Sequence, residues 1–416
     1  MKPEPEPVSC DFDPASITVS QAMAHIARTV VPVADTETLD LHSALGRVAA
    51  QEVVSTSDVP NHTNSAMDGY AVCGEELPDQ GSATFRMIGE SFAGSAFQGT
   101  VGSGQCVRIM TGAVMPAGTD SVVMQERVDR AGNTITIHAG EQKAANVRYA
   151  GEDIQVGDVV IPAGTRLGAS HLGLLASLGR PEVTVYRKPR IAFFSNGDEL
   201  RSMGAPLALG EVYDSNRYTL YAMLHDLGVE QVDLGIVRDD RDAIAKAIQS
   251  AAGQADLVIT TAGASVGDAD YIREILTRLG QVSFWKVAIK PGRPLSFGRL
   301  GNSLFFGLPG NPVSVMVTFQ VFLEPAIKQL SGERFDVPTV LKMRTLTALK
   351  KRSGRMEYQR GVMSLNENGE TVVRSSGEQG SGILRSMSQA NCFIILPDES
   401  EGVSAGEWVE VQPFTQ

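Results

Sequence analysis

The sequence predicts a multidomain α/β plus β protein: a central doubly wound, mainly parallel α/β domain, an inserted small β-rich domain and a C-terminal β domain. Three observations carry this. Between residues 190 and 330 apolar β-type runs alternate with helical stretches, which implies a mainly parallel sheet covered by helices on both faces. From about 55 to 148 short strand-like runs are separated by Gly, Pro and Asp turns. After Ser331 the helical pattern gives way to turn-linked strands. With 416 residues the chain is long enough for about two to four domains.

The elements follow in order. Residues 1–13, which begin MKPEPEPVS, alternate proline with charge and predict a disordered N-terminus without an apolar signal region. SITVSQAMAHIARTVV (16–31) predicts a helix and DLHSALGRV (40–48) a shorter one. The segment 149–186 holds a strand in VGDVVIPAGT and a helix in ASHLGLLASLG. It is expected to pack back on 14–54 as a discontinuous linking domain, which makes 55–148 an insertion. That insertion carries ATFRMIG, QCVRIM, SVVMQERV and NTITIH. In the α/β domain (187–330) the expected strands are RIAFFS, VDLGIV, LVITT, VSFWKVAI and SLFFG. Helices NRYTLYAMLHDLG, RDAIAKAIQSAAG and YIREILTRLG end at Gly228, Gly253 and Gly280, glycines suited to C-caps. One long helix is expected from Pro312 to about Leu330. In the C-terminal domain (331–416) TVLKMRTLT, MEYQRGVMSL, ETVVRSS, NCFIILP and EWVEVQPF read as strands.

Charge and cysteines narrow the function. A net charge of −12 argues against nucleic acid or an anionic membrane as partner. An anionic ligand must therefore be held by local basic groups. The four cysteines are far apart, with no Cys-x-x-Cys, as expected of reduced thiols in a cytoplasmic protein. No run reaches the 18 or more apolar residues of a membrane span.

In a doubly wound sheet ligands bind beyond the carboxyl ends of the strands, and the unusual residues gather there. The first strand runs into SNGDEL, with Asp198 and Glu199, and the second into RDD, with Asp239 and Asp240. The third runs into TAGASVGDAD, with Asp268 and Asp270. The fourth leads to KVAIKPGRP, with Lys286, Lys290 and Arg293, and the fifth to GLPGNPVS. Glu199, Asp240, Asp268 and Asp270 offer hard oxygen ligands for Mg²⁺; the basic residues offer charge for phosphate or another oxyanion. Asn311 is expected to cap the last helix, with Pro312 at its first position and an anion at its N-terminus. Each loop alone admits a plainer reading as a helix cap or turn; co-location makes the functional case. No G-x-x-x-x-G-K-[ST] is present, and no G-x-G-x-x-G follows the first strand of this domain, so neither a P-loop nor a dinucleotide fold is expected.

These loops, with NSAMDGYAV (64–72), RIMTGAVMPAGTDSVVMQE (108–126), GEDI (151–154), EYQRGV and GEWVEV, closely resemble the molybdopterin molybdenumtransferase family, to which the gephyrin E domain belongs. The resemblance implies a homodimer and Mg²⁺-dependent insertion of molybdate into adenylated molybdopterin with release of AMP. An upstream molybdopterin adenylyltransferase would supply the substrate. It places Glu199, Asp240, Asp268 and Asp270 in the metal and pyrophosphate region, with Lys286 and Lys290 neutralising phosphate. Arg293, Pro294, Ser314, Arg360 and Ser381 would form the molybdate pocket; Gly263, Ser265, Pro309, Asn311 and Pro312 would join the substrate contacts. Asp68, Thr111 and Asp153 would face the site from the partner subunit. The chain departs from the family where Ala262-Gly263 replaces a frequent Gly-Gly and Ala264 a Val, where Thr63 stands for Asp, and where Arg293 replaces Lys. A tungstate-inserting paralogue, a scaffold on the same fold and an unrelated Mg²⁺-dependent nucleotidyl enzyme are the rival readings.

Overall fold

The computed structural model describes residues 16–261 and 269–414. The chain forms two compact units: a smaller one of residues 38–45 and 49–184, and a larger one of the chain up to Glu37, residues 46–48 and everything from Val185 on.

The smaller unit is built on β1 (Gly69–Val72), β2 (Ser82–Ser91), β3 (Gln105–Ile109), β4 (Ser121–Met124), β5 (Val128–Ala131) and β6 (Thr134–His138). They form one sheet in the order β4-β1-β3-β2-β6-β5. Tyr70, Val72, Phe85, Cys106, Val123, Ile135 and Ile137 make a core against it. Strand β1 has no counterpart in the sequence reading, because four residues of GYAV are too few to show a period. All four are buried. A Cβ at Gly69 would lie 2.1 Å from the Val123 carbonyl oxygen, so only glycine allows this pairing.

The larger unit begins with α1 (Val19–Thr29). The Thr18 hydroxyl accepts from Gln21 N–H while Gln21 returns its side chain to Thr18 N–H, a complete capping box. Its buried residues Val19, Ala22 and Ile26 belong to the same core as Leu330. Then come β7 (Arg190–Asn196), α2 (Ser215–Asp226), β8 (Glu230–Val237), α3 (Arg241–Ala252), β9 (Leu257–Thr261), α4 (Ala269–Leu279), β10 (Gln281–Lys286), β11 (Ile289–Lys290), β12 (Pro294–Leu300) and β13 (Ser303–Leu308). The sheet order is β8-β7-β9-β13-β12-β10. The first four strands are parallel. Strand β12 runs against both neighbours, so β10 runs in the main direction again.

Side chains alternate across the sheet. Ile191, Phe193, Leu257, Ile259 and Phe306 face a core with Leu220 and Leu224 of α2. Ala192, Phe194, Val258 and Phe305 face Ile244 and Ile248 of α3 and Ile272, Ile275 and Leu276 of α4. Helices on both faces are the doubly wound arrangement expected. Strand β12 was not anticipated. Proline is tolerated at the first position of a strand, so Pro294 opens a strand where GRP reads as loop.

The helix expected from Pro312 to Leu330 is α5 (Pro312–Thr318), a π-turn at Phe319–Leu323, and α6 (Glu324–Leu330). Glu324 N–H donates to the carbonyl of Phe319, five residues back. Pro325 has no N–H for the ordinary bond to Val321, and the wider turn accommodates its ring.

The C-terminal barrel is made of β14 (Leu341–Thr345), β15 (Met356–Leu365), β16 (Thr371–Ser375), β17 (Cys392–Leu396) and β18 (Trp408–Pro413). Pairing runs β15-β16-β14-β18-β17 and back to β15, a closed barrel without edges. The helical pattern does not vanish entirely here, since Arg385–Ser388 forms one helical turn before β17. Strand β11 pairs in parallel with the start of β15, which ties the α/β sheet rim to the barrel through backbone hydrogen bonds. Among the described residues no helix is long and apolar enough to cross a membrane.

Candidate functional site

Because β10 shares the main strand direction, the turn between it and β12 emerges on the same rim as the carboxyl ends of β7, β8, β9 and β13. Val287 N–H donates to the Arg293 carbonyl at 3.0 Å and closes that turn. Gly292 within it has φ +106°, and a Cβ there would stand 2.5 Å from Thr318 Cγ2. Only glycine lets the turn pack on α5.

Where this rim meets the barrel lies a cavity of about 1030 Å³, at the upper end of the range for small-molecule sites. Glu199, Lys290, Arg293, Pro294, Pro309, Asn311, Pro312, Ser314, Arg360 and Ser381 all line it. Ten sequence-predicted residues from three loops and the barrel are thus brought together. Lys290, Arg293, Arg355 and Arg360 supply four basic groups and Glu199, Asp214 and Glu357 three acidic ones. A chain of net charge −12 therefore carries a locally cationic cavity.

Arg360 is the central group. It is 1% exposed. Its Nε donates to Ser386 Oγ at 3.0 Å, and its Nη2 donates to the carbonyls of Gly380 at 3.0 Å and Glu378 at 3.2 Å. Among the described residues no carboxylate lies within ion-pair distance of it. Burial lowers its pKa to about 10, with Glu357 acting in the opposite direction. The group is still charged at neutral pH. The nearby Glu357, 4% exposed, pairs instead with Lys290 at 3.2 Å and accepts from Gln359 Nε2 at 3.1 Å. A buried cation held by neutral oxygens retains attraction for an anion that a salt bridge would have consumed.

Other expected residues stand elsewhere. Asp240 is the N-cap of α3: its Oδ1 accepts from Asp242 N–H at 3.1 Å and Ala243 N–H at 2.9 Å. It does not line the cavity, and neither does Lys286, which ends β10 in an exposed position. Asp239 N–H donates to Asp198 Oδ1 at 3.2 Å, linking the loops after β7 and β8. Asn311 occupies the N-cap position of α5 but its side chain makes no capping bond. Val313 N–H donates to the Ser381 carbonyl at 3.2 Å, so this helix start is already partly engaged by the barrel. Gly263, Ser265 and Asp268 lie outside the described residues, as do Ala262, Ala264 and the side chain of Asp270.

In the smaller unit Asp68 and Thr111 form a pair. Asp68 Oδ1 accepts from Thr111 N–H and from Thr111 Oγ1, each at 2.8 Å. The backbone donor, then the hydroxyl, hold this exposed carboxyl below the usual range. Asp153 is exposed, with its N–H donating to the Val59 carbonyl at 3.1 Å.

The sequence reading missed Asp214, Asn216, Asn196, Thr261, Arg355, Glu357 and Gln379, which also line the cavity. For Asp214 and Asn216 the residues DSN before a helix read simply as its start. For Glu357 the strand MEYQRGVMSL, which mixes Glu, Gln and Arg with apolar residues, carries no period that marks which polar side chain is buried.

No His, Cys, Asp and Glu group of three or more converges among the described residues. Mg²⁺ needs only one or two protein carboxylates beside substrate phosphate and water, so the exposed Glu199 at the cavity wall fits such an ion.

Comparison with known proteins agrees along the chain. Residues 17–179 match the MoeA N-terminal region (domain I and II). Residues 192–329 match a probable molybdopterin binding domain, and residues 342–414 the MoeA C-terminal region (domain IV). The molybdopterin molybdenumtransferase of Haemophilus influenzae is 44% identical over 400 residues, covering 96% of this chain and 98% of that one. A Nostoc protein of the same description is 38% identical, covering 91% and 88%. The crystal structure of the molybdopterin biosynthesis moeA protein from Pyrococcus horikoshii superposes with a TM-score of 0.83 at 27% identity, covering 96% of this chain and all of that one. With its fold and all three regions matched in order, this chain belongs to the MoeA family of molybdopterin molybdenumtransferases, transferases of molybdenum cofactor biosynthesis.

Proposed function

We propose that the cavity binds adenylated molybdopterin and molybdate together. The pyrophosphate bond is cleaved in a Mg²⁺-dependent reaction, AMP is released, and molybdenum is left on the pterin dithiolene. The single observation that carries this reading is Arg360: a buried guanidinium with no carboxylate partner among the described residues, opening on a cavity with Ser314 and Ser381. A divalent oxyanion supplies the charge that Arg360 lacks, and two hydroxyls supply further donors. Lys290 is assigned to the phosphates, and Arg293, with Pro294, to the molybdate side. Pro309, Asn311 and Pro312 are assigned to substrate contact.

Glu199, with Asp240, Asp268 and Asp270, is the proposed magnesium region; a bound ion there would spread the charge of the pyrophosphate oxygens. Lys286 is assigned to phosphate charge, and Gly263 and Ser265 to substrate contact. The working assembly is proposed as a homodimer in which Asp68, Thr111 and Asp153 of one copy serve the cavity of the other. An adenylyltransferase upstream would provide the substrate, and the cytoplasm is the proposed compartment. The proposed domains are 14–54 with 149–186, 55–148, 187–330 and 331–416.

The test is AMP release from adenylated molybdopterin by the purified protein with Mg²⁺, with and without molybdate. Molybdate-dependent release, giving pterin that activates a molybdenum-free apoenzyme, is expected. Release indifferent to molybdate, or none from folded protein, would sink the reading.

A further inference from the structure

Asp214 and Asn216 line the cavity, and among the described residues Asp214 Oδ2 and Asn216 Oδ1 are buried without a hydrogen-bond donor. Their side chains are 3% and 8% exposed. Buried acceptors are nearly always satisfied, because an orphan loses its water without replacement. Both residues are otherwise well fixed. Asp214 is the N-cap of α2, with Oδ1 accepting from Arg217 N–H at 3.2 Å. Asn216 Nδ2 donates to the Gly310 carbonyl at 2.7 Å, which settles which end of the amide is oxygen. Arg217, the nearest basic side chain in sequence, is turned to Asp233 at 2.7 Å. The charge of Asp214 is thus left without that partner.

Two fixed acceptors, one of them charged, call for a ligand that presents two hydrogen-bond donors. Resting on the reaction proposed above, we infer that Asp214 and Asn216 recognise the 2-amino-4-oxopyrimidine edge of the pterin, accepting from its 2-amino group and ring N3–H. Adenine offers a donor next to an acceptor along its amino edges and mismatches a pair of acceptors. The phosphates and molybdate carry only acceptors at neutral pH, and a carboxylate repels them; they belong with the basic residues. Magnesium is the competing occupant of a carboxylate, and the Mg²⁺ response of the variants separates it from the pterin. The cavity thereby gains an orientation, with the pterin head at the start of α2 and the oxyanions at Arg360.

The experiment is a calorimetric titration of the intact protein with pterin and with lumazine, which carries a carbonyl oxygen in place of the 2-amino group. Asp214→Asn and Asn216→Ser are titrated alongside. Asparagine caps helices as well as aspartate, so α2 should persist, as the melting temperature will show. Wild type should bind pterin at least about tenfold more tightly than lumazine, as expected for one charged hydrogen bond. Asp214→Asn should abolish that preference while AMP binding and the response to Mg²⁺ stay unchanged; Asn216→Ser should reduce it in part. Equal affinity for the two pteridines in wild type, or no pterin binding, overturns the inference. So does an Asp214→Asn protein that loses AMP affinity, which would seat the ribose hydroxyls here, or one that loses only the Mg²⁺ response. AMP release from adenylated molybdopterin is followed in parallel, so failure of the reaction itself is read separately from failure of pterin recognition.

Discussion

Arg360 and Asp68 show how single residues set the chemistry. Arg360 loses proton affinity on burial, to about 10, well below the ordinary guanidinium range of the unfolded chain. The penalty for burying the cation is therefore constant below about 10 and relieved as pH rises from there toward the unfolded value. The molybdate concentration for half-maximal rate should be flat from about pH 7 to about pH 9 and rise steeply beyond about 10. Arg360→Gln should raise that concentration about 10- to 100-fold and remove the step. An unchanged requirement in the variant would put the oxyanion elsewhere. Asp68 shifts the other way: its folded pKa is depressed by Thr111. Its contribution to stability is present above about 3.9 and lost as pH falls through the folded pKa. Thr111→Val removes the hydroxyl donor but keeps the N–H, so the Asp68 carboxyl should titrate closer to its ordinary range in an NMR pH series. An unmoved titration would mean the backbone bond alone holds it. Neither Arg360 nor Asp68 was legible from physics: one lone charge in a strand and one turn aspartate carry no pattern, and only resemblance selected them. Asn216 was hidden for another reason, since its partner carbonyl at Gly310 lies 94 residues further along the chain.

At the scale of elements, Asp240 separates a structural from a catalytic role. Asp240→Ala removes the α3 cap and should cost about 1 kcal/mol. Asp240→Ser keeps a capping oxygen without the charge. If Asp240 only caps, the serine variant should retain both melting temperature and Mg²⁺-dependent AMP release. A normal melting temperature with a large loss of turnover would instead place its carboxylate in the metal region. Gly292→Ala meets Thr318 Cγ2 and a strained φ. It should displace the basic turn and weaken phosphate binding more than it lowers the melting temperature. Phosphate affinity equal to wild type would show that the turn yields. Strand–helix alternation made most of these elements readable, because each α/β unit repeats the same apolar periods. The exceptions are instructive. Strand β12 begins at a proline, β1 is four residues long, and the π-turn depends on Pro325 reshaping a helix whose pattern stays regular.

The whole molecule brings distant pieces to one cavity. Its lining comes from loops after β7, β10 and β13 and from β15 with the segment around Ser381. Co-location of the α/β loops could be argued from strand direction alone. That the barrel completes the wall could not, because sequence shows strands but not the closure that turns their faces inward. That closure has a bearing on synthesis. Strand β18, Trp408–Pro413, is inserted between β14 and β17, so the ring cannot shut before that strand has been made. Until then β15 has no complete barrel around it, and Arg360 keeps water as its neighbour. A nascent chain can fold its α/β sheet early, yet its seat for the oxyanion forms only once β18 is in place, so copies that stop short of it should not sequester molybdate.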